Sequence, residues 1–171
     1  MAKILIVIAP EGFQDKEYAD TKRGLEEDGH TTITASTKEE SHGKYGSVEK
    51  SDILLSAAKE QDYSAVVFIG GPGSYLYFDD EIAQNLAKSF AKANKITAAI
   101  CAAPSILANA GLLQNRTATC FPSQAENLQS HKANYTGNPL EQDKNFITAN
   151  GPEAAYEFGK KVSEALLNSE F

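Results

Sequence analysis

The sequence predicts one α/β domain in which a mostly parallel sheet carries helices on both faces, a doubly wound sandwich. Short apolar runs rich in β-branched residues, such as "ILIVIA" and "VVFI", suit strands that are buried on both faces. Segments with the apolar spacing of a helix follow most of these runs, and the connections fit crossovers rather than hairpins. The length of 171 residues fits a single domain over 1–171 with a sizeable core.

Predicted strands and helices alternate through most of the chain. The strands are expected at 3–9, 31–36, 52–56, 64–71, 96–100, 116–121 and 145–150. The helices are expected at 15–30, 79–95, 103–111, 122–129 and 151–171. The polar, glycine-containing residues 37–51 favour a loop or a hairpin.

Terminal residues support the limits of the predicted helices. Asp15 is expected to be the N-cap of the first helix, and Gly29 its C-terminal stop. Pro104 stands in the first turn of a later helix, where its missing N–H removes no helical hydrogen bond.

Composition limits the partners and the compartment. The net charge is −7, and acidic and basic residues are mixed without a Lys/Arg block, which argues against nucleic acid or an anionic membrane as a partner. The apolar run near the start is too short for a membrane span. Two cysteines, Cys101 and Cys120, do not form a disulfide framework, so we expect a soluble, cytoplasmic protein with free thiols.

Three segments with usable chemistry each follow a predicted strand. They are "APEGFQDKE" (9–17), "GGPGS" (70–74) and "CAAP" (101–104). In an open parallel sheet, ligands bind beyond the carboxyl ends of the strands, where the strand order reverses. We therefore expect these three segments to meet there.

Cys101 lies between small residues in Ala99-Ile100-Cys101-Ala102-Ala103. A nucleophile elbow has this pattern, because a sharp turn from strand to helix leaves no room for large side chains. Such an elbow would be strained, and the following helix N-terminus would favour the thiolate. Free cysteine is also a common buried residue. From the pattern alone, both interpretations of Cys101 stay open.

The other two segments offer backbone amides and carboxylates. Gly70 and Gly71 could form a nest of N–H groups for developing negative charge, or a plain tight turn. Glu11, Asp15 and Glu17 could be helix-start acids or could supply an acid group. Glu17 would lie about one turn into the helix, where its side chain could face the strand ends.

These motifs, in this order, resemble the ThiJ/PfpI superfamily, closest to its DJ-one (parkinsonism-associated deglycase) branch. The resemblance covers nearly the whole chain and includes "SAVVFIGGPGS", "AAICAAPSILANAGLL", "TATCFPS" and "FITANGPEAAYEFGKKVSEAL". It implies a flavodoxin-like sandwich and a homodimer. It also implies that Cys101 is the elbow cysteine, that Glu17 is its partner acid, and that the amides of Gly71 and Ala102 lie near the substrate oxygen, with Gly70 beside them.

Three positions depart from the patterns of that superfamily. The PfpI-type peptidases carry histidine directly after the cysteine, where this chain has Ala102, so peptidase activity is not expected. The branch usually has glycine at the position of Ala103. The human member has histidine where this chain has Phe121, which argues against a histidine base.

The resemblance implies chemistry on small reactive carbonyls without metal, cofactor or glutathione. Cys101 would attack the aldehyde of a 2-oxoaldehyde such as methylglyoxal, Glu17 would move a proton between its two carbons, and water would release a hydroxy acid. Deglycase activity would use the same groups. The alternative is an oxidative-stress sensor or chaperone, in which Cys101 is oxidised and a protonated Glu17 donates to the sulfinate.

Other classes with related folds lack their required residues here. A glutamine amidotransferase needs a later His-x-Glu pair, whereas His131 is followed by Lys132 and Ala133. "GGPGS" lacks the spacing of a nucleotide phosphate loop. The segment after the first strand lacks the Ser/Thr-rich cradle of an FMN flavodoxin. A response regulator needs an aspartate where this chain has the glycine pair.

The sequence also predicts the ionisation of the two cysteines and the exposure of the three histidines. Cys101 is expected to be mostly thiolate at neutral pH, because a helix N-terminus lowers the pKa of a thiol. Cys120 is expected to stay a thiol inside a strand, as a packing residue. His30, His42 and His131 stand in polar stretches and are expected to be solvated.

Overall fold

The computed structural model describes residues 1–168. In this range twelve strands occur: β1 (Lys3–Val7), β2 (Glu11–Phe13), β3 (Thr31–Ser36), β4 (Glu40–Gly43), β5 (Val48–Lys50), β6 (Ile53–Leu54), β7 (Ala65–Phe68), β8 (Ile96–Ile100), β9 (Thr117–Ala118), β10 (Asn134–Tyr135), β11 (Leu140–Asp143) and β12 (Phe146–Ala149). The same range contains five α-helices: α1 (Asp15–Glu26), α2 (Glu81–Lys92), α3 (Pro104–Asn109), α4 (Ala125–Ser130) and α5 (Ala155–Asn168).

Seven of the strands form the central sheet, in the order β11-β12-β8-β7-β1-β3-β6. All neighbouring pairs are parallel except β11 with β12. Helices α1 and α5 pack together against the sheet, and α2, α3 and α4 form a second group that also contacts it. The predicted flavodoxin-like α/β fold, with a mostly parallel sheet between helices, is confirmed.

The middle of the sheet is apolar because its strands are covered on both faces. Residues 4–7 of β1, all of β7 and all of β8 are buried. These are the runs of Ile, Val, Leu and Ala that the sequence shows without alternation, as expected for parallel strands between two helical layers. The fully buried Phe90 of α2 and Phe158 of α5 add to this core.

The strand order reverses beside β1. The chain runs from β1 to β3 and β6 on one side, and then returns to β7 on the other side of β1. The carboxyl ends of β1, β7 and β8 are therefore neighbours at a topological switch point, where open α/β sheets bind ligands.

A small second sheet lies beside this edge. It joins β2, which follows the first strand, to the antiparallel hairpin of β4 and β5. The predicted loop or hairpin at 37–51 is thus a hairpin. Strands β9 and β10 form another short pair.

Several predicted limits and roles were wrong. The helix predicted at 15–30 ends at Glu26, and Gln14, not Asp15, is its N-cap: the Gln14 side chain accepts the N–H of Glu17 at 2.8 Å. The strand predicted at 116–121 is only Thr117–Ala118, so Cys120 lies beyond it, although it is buried as expected for a packing residue. The strand Thr117–Ala118 is short because it pairs with the two-residue β10 rather than with the central sheet.

Other elements were absent from the sequence-based expectations. The short strands β2, β10 and β11 were not predicted, because two to four mostly polar residues give no periodic signal. The last helix was expected over 151–171. It begins as a short 3₁₀ turn and continues as α5, and the end of the predicted range, 169–171, lies outside the described residues.

His30 is buried rather than solvated, contrary to expectation. Its Nδ1 accepts the N–H of Ala2 at 3.1 Å, and its Nε2 lies 2.9 Å from the Ser163 hydroxyl. The polar neighbours of His30 in sequence hid this, because its burial comes from β1 and α5, which are distant along the chain. His42 is exposed, as expected, and His131 is half-buried.

No helix within residues 1–168 is long and apolar enough to cross a membrane.

Helices α1 and α5 approach so closely that two glycines face each other's backbone. A Cβ added at Gly159 would lie 2.5 Å from the carbonyl oxygen of Thr21, and one added at Gly24 would lie 2.9 Å from that of Tyr156. Backbone atoms cannot yield to a side chain as a flexible neighbour can, so the packing of the two helices depends on these glycines.

We expect Gly159→Ala to lower the free energy of unfolding by roughly 1–3 kcal/mol, because overpacking separates the helices. At an exposed helical position, replacing glycine by alanine would instead raise the free energy of unfolding by about 1 kcal/mol. Urea unfolding measures the difference. Glu164→Ala, on the exposed side of α5, is the control and should stay within about 0.5 kcal/mol of the unsubstituted chain. A neutral or stabilising Gly159→Ala would contradict the close packing.

Candidate active site

The three segments expected to meet at the strand ends do meet there. The N–H of Gly70 donates to Glu17 Oε1 at 3.0 Å, and the N–H of Gln14 donates to the carbonyl of Gly70 at 2.9 Å. A Cβ added at Gly70 would lie 2.6 Å from the Cβ of Cys101 and 2.8 Å from Glu17 Oε1. Gly70 is therefore packed between the cysteine and the carboxyl group, and only a residue without a side chain fits.

Cys101 has the strained backbone that the elbow prediction required. Its φ is 65°, in the left-handed region that non-glycine residues rarely adopt. Neighbouring backbone fixes this conformation on both sides: the N–H of Cys101 donates to Ala149 at 2.9 Å, and its carbonyl accepts the N–H of Phe121 at 2.8 Å. These two bonds offset part of the strain that presenting the sulfur requires.

The sulfur lies at the floor of a cavity of about 310 Å³. Only 7% of Cys101 is exposed, so the thiol is reached through this cavity rather than from open solvent. The backbone N–H groups of Gly71 and Ala102 donate toward the sulfur and favour its thiolate form. Gly71 can point its N–H there because it adopts a φ of 101°.

Glu17 is completely buried, and α1 fixes its position. The helix begins two residues earlier, and the Gln14 cap binds the backbone N–H of Glu17 itself. Its Oε1 accepts the Gly70 N–H, while Oε2 has no hydrogen-bond partner among the described residues. A buried, unpaired carboxylate oxygen is costly, whereas a protonated one could donate to a neighbouring acceptor.

Burial and mutual repulsion make Glu17 and Cys101 a coupled acid pair. Burial raises the pKa of Glu17 to about 7, although the neighbouring Cys101 thiol and the Gly70 amide lower it. Burial, and then the negative charge of Glu17, raise the pKa of Cys101 to about 12, against the two amides that lower it. The pair as a whole therefore loses one proton near neutral pH and retains the second well above it.

The expectation of a mostly ionised Cys101 at neutral pH was wrong. It relied on a helix N-terminus, but α3 has only six residues and begins three positions beyond the cysteine, while burial acts directly on the sulfur. Cys120 remains a thiol, as expected, because burial raises its pKa to about 12. Ionisation of Cys101 thus depends on a base, and Glu17 is the group beside it.

The remaining acid candidates lie away from the sulfur. Glu11 is exposed in β2. The Asp15 carboxylate accepts the N–H of Tyr45 and the N–H of Ser47, each at 2.9 Å, and so holds the tip of the β4–β5 hairpin. Partial burial would raise the pKa of Asp15, but these two amides outweigh it and lower the pKa.

One predicted binding residue has a different contact. Gly70 was expected to offer its N–H to a substrate oxygen, but Glu17 accepts that N–H, and Gly70 does not line the cavity. Gly71 and Ala102 do line it. The N–H groups of Gly70 and Gly71 face different acceptors because successive amides in a turn point in different directions. A glycine pair therefore does not supply two parallel donors.

Sequence reasoning missed the walls of the cavity. They include Gln14, Tyr45, Tyr75 and Phe121. None of the histidines in the described chain lines it. The three aromatic residues are exposed by 44–70%, which singles them out once the structure is known. In the sequence, a signal was available for Tyr75, which closely follows the glycine pair, and for Phe121, which stands where the human family member has histidine.

The fold and this site define an α/β sandwich with a buried thiol–carboxyl pair at a nucleophile elbow. The DJ-1/PfpI family model matches residues 2–165, and the chain belongs to that family. An uncharacterized protein of Methanocaldococcus jannaschii is 35% identical over 170 residues, which cover 96% of this chain and 82% of that protein.

Solved structures support the same assignment. The ThiJ/PfpI domain protein from Brachyspira murdochii has a TM-score of 0.94 at 34% identity, covering 99% of this chain and 98% of that one. DJ-1beta of Drosophila melanogaster has a TM-score of 0.89 at 28% identity, covering 96% of this chain and 89% of that one.

We expect Glu17→Gln to stabilise the fold increasingly as the pH rises. Because the pKa of Glu17 is raised in the folded state, from 4.5 to about 7, its contribution to stability is present below about pH 4.5 and is lost as the pH rises through about 7. The loss is on the order of 3 kcal/mol. Urea unfolding at pH 4.5 and at pH 8 measures the difference in the free energy of unfolding between the variant and the unsubstituted chain. Glu11→Gln is the matched control, and a difference that does not change with pH would contradict the buried acid.

Proposed function

We propose that this protein converts small 2-oxoaldehydes to 2-hydroxy acids, with Cys101 as nucleophile and Glu17 as acid–base group, and without metal, cofactor or glutathione. The observation that carries the proposal is the convergence on one sulfur of a carboxyl group with a pKa of about 7 and two backbone N–H donors. A group that titrates near the working pH is suited to move protons in both directions. Deglycase activity would draw on the same groups.

In the first step the Cys101 sulfur adds to the aldehyde carbon. A carbon–sulfur bond forms, the carbonyl π electrons move to oxygen, and the thiol proton passes to the Glu17 carboxylate. The N–H groups of Gly71 and Ala102 stabilise the developing oxyanion. Return of the proton from Glu17 to that oxygen gives a hemithioacetal and restores the carboxylate.

In the second step the substrate is oxidised at one carbon and reduced at the next. Glu17 removes the proton from the hemithioacetal carbon, and the electron pair moves onto the ketone oxygen to give an enediolate. Glu17 then returns the proton to the former ketone carbon, and the hydroxyl proton on the sulfur-bearing carbon passes to the oxyanion on the neighbouring carbon, so that the sulfur-bearing carbon becomes a thioester carbonyl. No external oxidant is required, because the two carbons exchange the electron pair.

Water completes the cycle. It adds to the thioester carbonyl, the carbon–sulfur bond breaks, and the thiol recovers its proton, which leaves a 2-hydroxy acid. The net reaction is the addition of one water to the 2-oxoaldehyde.

The sensor or chaperone alternative uses the same pair but has less support. Oxidation by peroxide requires an accessible thiolate. Cys101 is 7% exposed, and burial and the neighbouring carboxylate raise the pKa of its thiol. Both features slow direct oxidation, whereas a substrate bound in the cavity could be attacked with Glu17 as base.

We include the homodimer and the cytoplasmic location in the proposal. The homodimer is what the resemblance to this family implies. Sedimentation equilibrium of the purified chain should give twice the chain mass at micromolar concentration, and a species of single chain mass would exclude the dimer.

Lactate formation from methylglyoxal tests the chemistry. We expect Cys101→Ser to abolish measurable turnover and Glu17→Gln to lower kcat by about 10²–10⁴, since the amide cannot carry a proton. With the unsubstituted chain, kcat/KM should rise as the pH rises through about 7, because the pair must lose one proton to act. Glu11→Gln, which changes an exposed acid, is the control. Equal rates for Cys101→Ser and the unsubstituted chain would refute the mechanism.

A further inference from the structure

The cavity beside Cys101 is larger than methylglyoxal requires. Its volume is about 310 Å³, and a cavity of about 150 Å³ already accommodates a benzene ring in a protein core. Methylglyoxal, whose side group is a single methyl, would leave most of this space to water. The size therefore fits a 2-oxoaldehyde with a much larger side group.

Aromatic rings form part of the cavity wall. Tyr75, Tyr45 and Phe121 line the cavity, and each exposes between 44% and 70% of its surface. Three half-exposed rings around one opening leave apolar surface in contact with water. A flat apolar ligand would cover that surface, and aromatic pairs gain additional energy from their quadrupoles.

Tyr75 is the ring that the structure holds most firmly. Its ring is stacked on Phe78, with centroids 4.5 Å apart and an angle of 27° between the planes. Its hydroxyl accepts a hydrogen bond from the side-chain amide of Gln124 at 2.9 Å. One face and one end of Tyr75 are thus occupied, while about half of the residue remains exposed and part of it lines the cavity.

A buried polar network fixes Gln124 in turn. Its side-chain oxygen accepts the hydroxyl of Ser105 at 2.7 Å, and Ser105 accepts the amide of Asn127 at 3.0 Å. Ser105 lies in α3, the helix that follows Cys101. Tyr75 is therefore tied by a chain of hydrogen bonds to the short helix that follows the nucleophile.

The charges at the cavity point to a neutral or anionic ligand. Lys44 is its single charged lining residue among those described, and its ammonium lies 5.3 Å from the centre of the Tyr45 ring. No carboxylate other than the buried Glu17 stands near the sulfur. A cationic side group would meet Lys44 without a compensating anion.

We propose that the enzyme prefers 2-oxoaldehydes with a flat aromatic side group, and that Tyr75 is the residue that determines this preference by stacking on the ring. The proposal rests on the proposed function and names the substrate class of the same site. Because Tyr75 is held in place before the ligand arrives, the stacking does not require a flexible side chain to be ordered on binding.

Phenylglyoxal and methylglyoxal are the probes. The measured quantity is the kcat/KM for phenylglyoxal divided by the kcat/KM for methylglyoxal. Comparing variants by this ratio removes the difference in intrinsic reactivity of the two aldehydes. We expect Tyr75→Leu to lower the ratio about tenfold, as expected for the loss of one aromatic stack and its apolar contact. Tyr75→Phe, which keeps the ring and its stacking on Phe78, should retain most of the preference.

Leu76→Ala is the matched control, because Leu76 is the next residue, is exposed by 57% and does not line the cavity. It should leave the ratio unchanged. If Tyr75→Leu lowers kcat/KM for both aldehydes equally, or if Leu76→Ala changes the ratio as much, the preference does not depend on Tyr75 and the proposal is overturned.

A binding measurement separates this proposal from the proposed function. Mandelate and lactate, the two hydroxy-acid products, are compared for their ability to protect Cys101 from alkylation by iodoacetamide. We expect mandelate to protect at concentrations at least about tenfold lower than lactate, and Tyr75→Leu to abolish the difference. Equal protection by both overturns the aromatic preference. Absence of turnover with both aldehydes refutes the proposed function, while protection still decides which ligand class the cavity binds.

Discussion

The burial of one carboxyl group beside one thiol is the constraint on which the site depends. Complete burial of Glu17 costs free energy unless its oxygens find donors, and among the described residues only the N–H of Gly70 donates to it, with the Cys101 thiol beside it. That shortage raises the pKa of the carboxyl group to about 7. A carboxylate in water is a weaker base and would take up a proton from sulfur or carbon less readily, so the chemistry that we propose follows from poor solvation rather than from an unusual residue type.

Much of the surrounding backbone is arranged so that these two groups can meet. Gly70 leaves the space between them empty of side chain, and the Gln14 cap fixes the first turn of α1. The left-handed conformation of Cys101 aims its sulfur at the carboxyl group and is held by bonds to two other segments. The apolar strands β1, β7 and β8 place the three segments at one edge of the sheet. The free energy gained by burying these strands offsets the strain at Cys101 and the burial of Glu17.

The sequence predicted the fold and the meeting of the three segments, because long apolar strands and regular helices carry a strong periodic signal. It predicted the elbow at Cys101 for a local reason, the small residues on either side. It could not predict the pKa of that cysteine, because burial is set by the whole sheet. The contacts of Gly70, Asp15 and His30 were likewise unpredictable, since each depends on residues distant along the chain.

The clamp that Asp15 makes on the β4–β5 hairpin has a consequence for the cavity wall. Its carboxylate accepts the main-chain N–H groups of Tyr45 and Ser47. At position 45 this bond involves the main chain, whereas the Tyr45 residue also lines the cavity. The residue at position 45 can therefore change without loss of that main-chain hydrogen bond, so the wall of the cavity can vary while the contact between Glu17 and Gly70 beside Cys101 stays as it is.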